Sequence, residues 1–213
     1  MACAETNTVS GTDGNDTLIV NTEQDTHTFV YAGDGNDSVT NAGLGTVHAY
    51  LGCGDDTYVG GPGVDLVQGG PGDDHITLGG GNDVANGGSG NDWIFGGVGN
   101  DTLTGGPGDD HFYYPFIIDH DSNGAITSAV SHCGNDVITD FNLSEDHLEF
   151  QGTFSQQEFN DLFDVTHVDT DGDGAVDASS LHFATDNPDF PFSIQFNDVL
   201  ATKDEIFHDI LFV

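Results

Sequence analysis

Aspartates recur in this chain at a fixed interval, always in the same company. Asp56, Asp65, Asp74, Asp83, Asp92, Asp101 and Asp110 stand nine residues apart, and each follows a glycine by two positions. Asp16 and Asp37 have the same setting, GTDGNDTLI and AGDGNDSVT, at less regular distances. Carboxylates brought together can share protons as acid and base, or they can hold a cation. The charge balance favours the cation. Against 37 Asp and Glu there is one basic residue, Lys203, a formal charge of −36. A compact state without cations would repel itself. Nucleic acid and anionic lipid surfaces are poor candidates as partners, because both are held by Lys and Arg. Acidity alone would also suit a disordered tail or a salt-adapted surface, but the placement of the acids speaks for order.

The uninterrupted run is LGCGDDTYV, GGPGVDLVQ, GGPGDDHIT, LGGGNDVAN, GGSGNDWIF, GGVGNDTLT and GGPGDDHFY, residues 51–113. Glycines at positions 2 and 4 allow positive φ and let backbone carbonyls converge. They are Gly52 and Gly54, Gly61 and Gly63, Gly70 and Gly72, Gly79 and Gly81, Gly88 and Gly90, Gly97 and Gly99, Gly106 and Gly108. The last three residues of each unit make a short strand whose middle side chain points inward. Those side chains are Leu18, Val39, Tyr58, Val67, Ile76, Ala85, Ile94, Leu103 and Phe112, none of them charged.

Two units make one turn, with a strand in each of two stacked sheets and a glycine loop at each edge. Loops 18 residues apart then lie one above the other, so Asp56, Asp74, Asp92 and Asp110 stack along one edge and Asp65, Asp83 and Asp101 along the other. Asp37 and Asp16 extend the first edge, and residues 20–31 and 41–50 are expected as irregular turns of the same coil. Cages of carboxylate and carbonyl oxygen suit Ca²⁺, which takes about 6–8 oxygens in tolerant geometry, and offer nothing to zinc or copper. About five to eight ions are expected. Burying one side chain per nine ordered residues does not offset the backbone entropy lost. The chain is therefore expected to fold on binding its ions.

These units resemble the repeats-in-toxin consensus G-G-x-G-x-D-x-U-x. The resemblance implies an all-β, right-handed parallel β-roll over residues 1–113, in a secreted, extracellular or cell-surface protein. Residues 114–213 are expected as a Phe-rich, β-rich cap, since 12 of the 15 phenylalanines but few of the glycines lie there. The stretch GNDVITDFNLSEDHLEF is similar to the segment that follows the roll in secreted relatives. Ser155 with Glu158 has capping-box spacing for a short helix reaching about Phe163. Asp169, Asp171, Asp173 and Asp177 follow the spacing of a calcium loop, but Ser180 stands where an EF-hand has its bidentate glutamate. The flanks DVTHV and SSLHF read as strands, so a calcium-holding hairpin turn is expected. The final IQFNDVLATKDEIFHDILFV resembles the uncleaved export signal of type I (ABC transporter) substrates.

Other signals are expected absences. MACAETNTVS has no basic region and no apolar run, so no cleavable signal peptide is expected. No stretch reaches the about 18 apolar residues of a membrane span. Cys3, Cys53 and Cys133 give no disulfide framework. No HExxH or GxSxG motif occurs, the ten histidines form no ligand spacing, and catalysis is not expected. Trp93, Phe95 and Tyr113 should form an outward aromatic patch that docks the Phe-rich part or, alternatively, stacks on a glycan. Three roles remain: a structural or adhesive calcium-binding protein with a surface-layer partner, a carbohydrate-binding module resembling the R-modules of alginate epimerases, and an ice-binding roll. Missing basic residues argue against a polyanionic glycan and leave a neutral one. The ice-binding role is rejected because position 3 of the units carries no threonine rank.

Overall fold

A strand of three residues is stable only between copies of itself, and that requirement shapes the whole molecule. The structure, a computed structural model, describes residues 6–120, 126–151, 155–171, 175–183 and 192–212. In chain order the first strands are β1 (Thr6–Ser10), β2 (Thr17–Val20), β3 (His27–Asp34), β4 (Ser38–Asn41), β5 (Thr46–Cys53), β6 (Thr57–Val59), β7 (Asp65–Pro71), β8 (His75–Thr77), β9 (Val84–Ser89), β10 (Trp93–Phe95), β11 (Thr102–Thr104) and β12 (His111–Tyr114). Odd-numbered strands pair in sequence in one sheet and even-numbered strands in the other, every pair parallel. This is a parallel β-roll. In its regular part Tyr58 pairs with Ile76 and Val67 with Ala85, a step of two nonapeptides. Nearer the start Leu18 pairs with Val39 and Val39 with Tyr58, longer steps. Much of 20–31 and 41–50 is strand, in β3 and β5, so the irregularity there is one of turn length.

Position 8 of each unit fills the space between the sheets. Val39, Tyr58, Val67, Ile76, Ala85, Ile94, Leu103 and Phe112 are all buried. Leu18, in the first turn, is only partly covered.

The sheets continue past residue 113. The chain makes an antiparallel pair of β13 (Ile117–His120) and β14 (Ile126–Val130), then adds β15 (Gly134–Ile138) to β11 and β16 (His147–Phe150) to β12, both parallel. Helix α1 (Gln156–Leu162) leads into a hairpin of β17 (Phe163–Val168) and β18 (Ala178–Phe183), on which β19 (Phe192–Asn197) packs while also pairing with β15. Helix α2 (Lys203–His208) precedes β20 (Ile210–Phe212), which pairs with β16. α1 has the expected capping box, with the Ser155 N–H donating to Glu158 Oε2 at 2.7 Å and the Glu158 N–H to Ser155 Oγ at 3.2 Å. Thr202 and Glu205 form a second box at α2, within the stretch that resembles an export signal.

The C-terminal phenylalanines close the end of the roll. Phe116 packs on Phe150, Phe163 and Phe192, and Tyr114 on Phe150 and Phe192. Docking on the outward patch was expected instead. That patch lies on the outer face of the even sheet, where Trp93 stacks on His75 at 4.2 Å and Tyr113 at 5.1 Å. Among the described residues the ring contacts of Trp93 and Phe95 stay within the roll. Its link to the later chain is polar, from Trp93 Nε1 to Glu149 Oε2 at 3.1 Å. Burial of an apolar end outcompetes cover for a face that already shields itself by stacking.

Candidate metal centre

Each glycine of a unit has its own reason to be there. In GGPGDDHIT, a Cβ on Gly69 would strike Asp74 Oδ2, so the bare backbone makes room for the carboxylate. Gly70 and Gly72 have φ of +120° and +143°, and their carbonyl neighbours in the loop above, Gly52 and Gly54, stand where a Cβ would be. The loops therefore stack backbone on backbone, with the carboxylates turned inward.

The aspartates form ladders. On one edge the N–H of Asp16 donates to Asp37 Oδ1 (2.8 Å), Asp37 to Asp56 (2.7 Å), Asp56 to Asp74 (2.8 Å), Asp74 to Asp92 (2.8 Å), and Asp92 to Asp110 (2.9 Å). On the other, Asp65 donates to Asp83 and Asp83 to Asp101, both at 2.8 Å. The expected stacking of both edges is thus present. Only Oδ1 is engaged in this way. The Oδ2 atoms of Asp37, Asp56, Asp74, Asp83, Asp92, Asp101 and Asp110 are buried with no hydrogen-bond donor. An ionised oxygen left so would carry a desolvation cost that only a proton or a cation relieves. The donor set is oxygen throughout, which fits a hard divalent ion.

Burial raises these carboxyls, and in all but Asp101 neighbouring carboxylates add to it, against the opposing effect of the ladder N–H. Asp83 is pushed up to about 8, Asp92 to about 7, and Asp56, Asp74, Asp101 and Asp110 to about 6. A cation in their midst would replace those protons.

Two features went unread in the sequence. Position 5 carries a second ladder in the opposite sense, its side chain accepting from the next loop: Asp73 N–H to Asp55 (3.1 Å), Asn91 to Asp73 (2.8 Å), Asp109 to Asn91 (3.1 Å). The recurrence of Asn or Asp there was the available signal. Asp136 and Asp146, beyond the run, continue the position-6 ladders, accepting from Asp101 at 2.9 Å and Asp110 at 3.2 Å. An interval of about two turns hid them from a nine-residue period.

The sequence signature of the RTX calcium-binding nonapeptide repeat matches this chain in four copies, over residues 4–26, 52–85 and 86–114. Residues 4–26 and 52–114 of the roll are RTX calcium-binding repeats. Among solved structures, the R3 subunit of the Azotobacter vinelandii mannuronan C5-epimerase AlgE6 resembles the chain at 21% identity, over 75% of this chain and 78% of that one, with a TM-score of 0.28. The R2 subunit of the same enzyme gives 23% identity, 75% and 88% coverage, and 0.24. The extracellular lipase LipA of Serratia marcescens gives 15% identity and 0.36, over 99% of this chain and 40% of the lipase. No curated protein sequence matches.

Outside the RTX roll, the turn between β17 and β18 gathers Asp169, Asp171 and Asp177, whose ligand oxygens lie within 4.8 Å of one another. The Thr170 N–H donates to Asp177 Oδ1 at 2.9 Å and holds that carboxyl below its usual range. The flanking strands pair antiparallel, as expected from their sequences. Asp173 lies outside the described residues. Of the three cysteines, Cys53 is exposed and Cys133 buried, both free, and burial pushes the Cys133 thiol up to about 12. Cys3 lies outside the described residues, and no described helix is long and apolar enough to cross a membrane.

Proposed function

We propose that this chain is an exported, non-catalytic RTX protein whose ladder aspartates and loop carbonyls take up several Ca²⁺ ions, and whose folding is driven by that uptake. The observation that carries this reading is the row of buried Oδ2 atoms without donors, one in each interior loop of the ladders, in a chain of charge −36. When bound, calcium supplies the positive charge that lets stacked carboxylates stay ionised in a dry interior. The position-6 aspartates whose Oδ2 lacks a donor hold it, position-5 side chains fix the spacing of the loops, and glycines leave room for both. Asp169, Asp171, Asp173 and Asp177 make an additional site in the hairpin turn. Extracellular modules bind Ca²⁺ at about 10⁻⁴–10⁻³ M, so the chain stays unfolded where calcium is scarce and threadable by a type I apparatus that reads its C-terminal residues. At the cell surface or in a matrix it then serves as a structural or adhesive element.

A second reading, a module that binds a neutral glycan, is favoured by the outer face of the odd sheet. Tyr31 and Tyr50 stack at 5.1 Å with planes 5° apart, both exposed, beside a shallow groove of about 280 Å³ that includes His48, Leu66, Gln68 and Asn86. No carboxylate lines that groove. Calcium-dependent hits on a neutral-glycan array would select this role over the adhesive one.

The founding test is a calcium titration of metal-stripped protein followed by circular dichroism and calorimetry. The expected result is a disordered spectrum that becomes β-rich in step with the uptake of several ions. An ordered β-rich spectrum in excess chelator at pH 7.5 and low ionic strength, with no ions retained, overturns the reading.

A further inference from the structure

The recognised repeats end at residue 114, but the geometry of a repeat returns 17 residues later. Residues 131–139, SHCGNDVIT, reproduce the unit from position 4 onward. Gly134 has φ +85°, with the Gly99 carbonyl where its Cβ would stand. The Asn135 N–H donates to Asn100 Oδ1 at 2.9 Å, continuing the position-5 ladder, and Ile138 is fully buried in the core stripe. Asp136 takes the Asp101 N–H on Oδ1 at 2.9 Å, is 1% exposed, and has no donor to Oδ2. The buried Tyr114 hydroxyl lies beside that carboxylate, close enough to favour its charged form, but does not reach the geometry of a hydrogen bond.

We propose that the loops of Asp101 and Asp136 hold a further Ca²⁺ ion, outside the recognised repeats, and that this ion latches the C-terminal part onto the roll. The inference rests on the calcium reading above. Its physical basis is the same orphaned Oδ2 that marks each interior loop, now shared between β11 and a strand reached only after the β13–β14 excursion. Loop closure over that distance opposes docking, and a cation between the two carboxylates offsets it.

The same feature shows where the ladders end. Asp146 continues the other edge, but its Oδ2 takes the Asn142 N–H at 2.8 Å. At the upstream end Asp65 receives Asn41 Nδ2 on both oxygens, at 3.2 and 3.3 Å, so an amide stands where a cation would. Asp16 Oδ2 takes the Thr12 hydroxyl at 2.9 Å. Eight orphaned Oδ2 atoms remain among the described residues, hence eight ladder ions.

Cys133 gives a local readout, being 2% exposed and three residues from Asp136. In a Cys3→Ser, Cys53→Ser background the full chain is titrated with Ca²⁺, and ion count, circular dichroism and thiol-reagent kinetics are followed. Asp136→Asn is expected to bind one ion fewer, to keep the roll's β-spectrum in saturating Ca²⁺, and to expose Cys133 to modification at least tenfold faster than the parent. Asp146→Asn is expected to keep the parent's ion count and protection. If Asp136→Asn retains every ion and a protected thiol, or if Asp146→Asn loses an ion, the inference is overturned while the calcium roll stands. A parent that takes up no Ca²⁺ sinks the underlying reading instead. Should Asp136→Asn not fold even in Ca²⁺, Asp136→Glu, which keeps the charge but displaces it by a methylene, carries the same measurement.

Discussion

In the interior of a ladder an aspartate divides its oxygens, giving Oδ1 to the N–H of the loop above and keeping Oδ2 for a cation. Asp74 illustrates the consequence. It accepts from Asp56 and donates to Asp92 Oδ1, and both its own Oδ2 and that of Asp92 lack donors. Asp74→Ala should therefore abolish two ions. Asp110 is the last aspartate of its edge in the nine-residue run, which by itself implies a loss of one. One remains the expected loss for Asp110→Ala, although for another reason: Asp146 lies below it, but the Asn142 N–H already occupies that carboxylate's second oxygen. Equal losses in calorimetric stoichiometry for the two variants would contradict the division of roles.

At the scale of the element, the loop is built for the absence of side chains, yet not uniformly. Gly70 has φ +120° and meets the Gly52 carbonyl, whereas Gly80 has neither positive φ nor any atom closer than 3.6 Å to where a methyl group would stand. Alanine at Gly70 should cost at least about 1–3 kcal/mol in backbone strain alone and raise the Ca²⁺ midpoint of folding. At Gly80 it should leave the midpoint nearly unchanged. Matching midpoints for both variants would show that the loop relaxes. This graded demand explains what was legible: a period of nine with glycines at fixed positions encodes β-roll, ladder and core stripe at once. Beyond residue 114 the period lapses, so neither Asp136, despite its GND setting, nor Asp146 falls on the nine-residue count, and the coil's geometry is what places them. Helix α2 escaped for a local reason, because Thr202 and Glu205 carry the same capping box as Ser155 and Glu158 but sit in a stretch that resembles an export tail. The destination of the phenylalanines depended on tertiary competition between the roll's end and its outer face.

For the whole molecule, the burial that makes the ladders selective for a cation makes the metal-free state dependent on protons. Carboxyls raised from their ordinary value of 3.8 to about 6 in Asp56 and Asp74, and to about 8 in Asp83 and Asp136, bind protons more tightly folded than unfolded. Their contribution to stability is fully present below about pH 4 and is lost as pH rises through 6 to 8. Self-repulsion in a chain of charge −36 acts in the same direction. Metal-stripped protein should therefore be more ordered at pH 4.5 than at pH 7.5, on the order of the shifts cited. With saturating Ca²⁺ the sign reverses, since the ion requires the ionised carboxylates and releases their protons on binding. Circular dichroism and thermal melts at the two pH values, with and without Ca²⁺, would show crossing dependences. Parallel ones would mean that the buried Oδ2 atoms are not where protons and calcium compete.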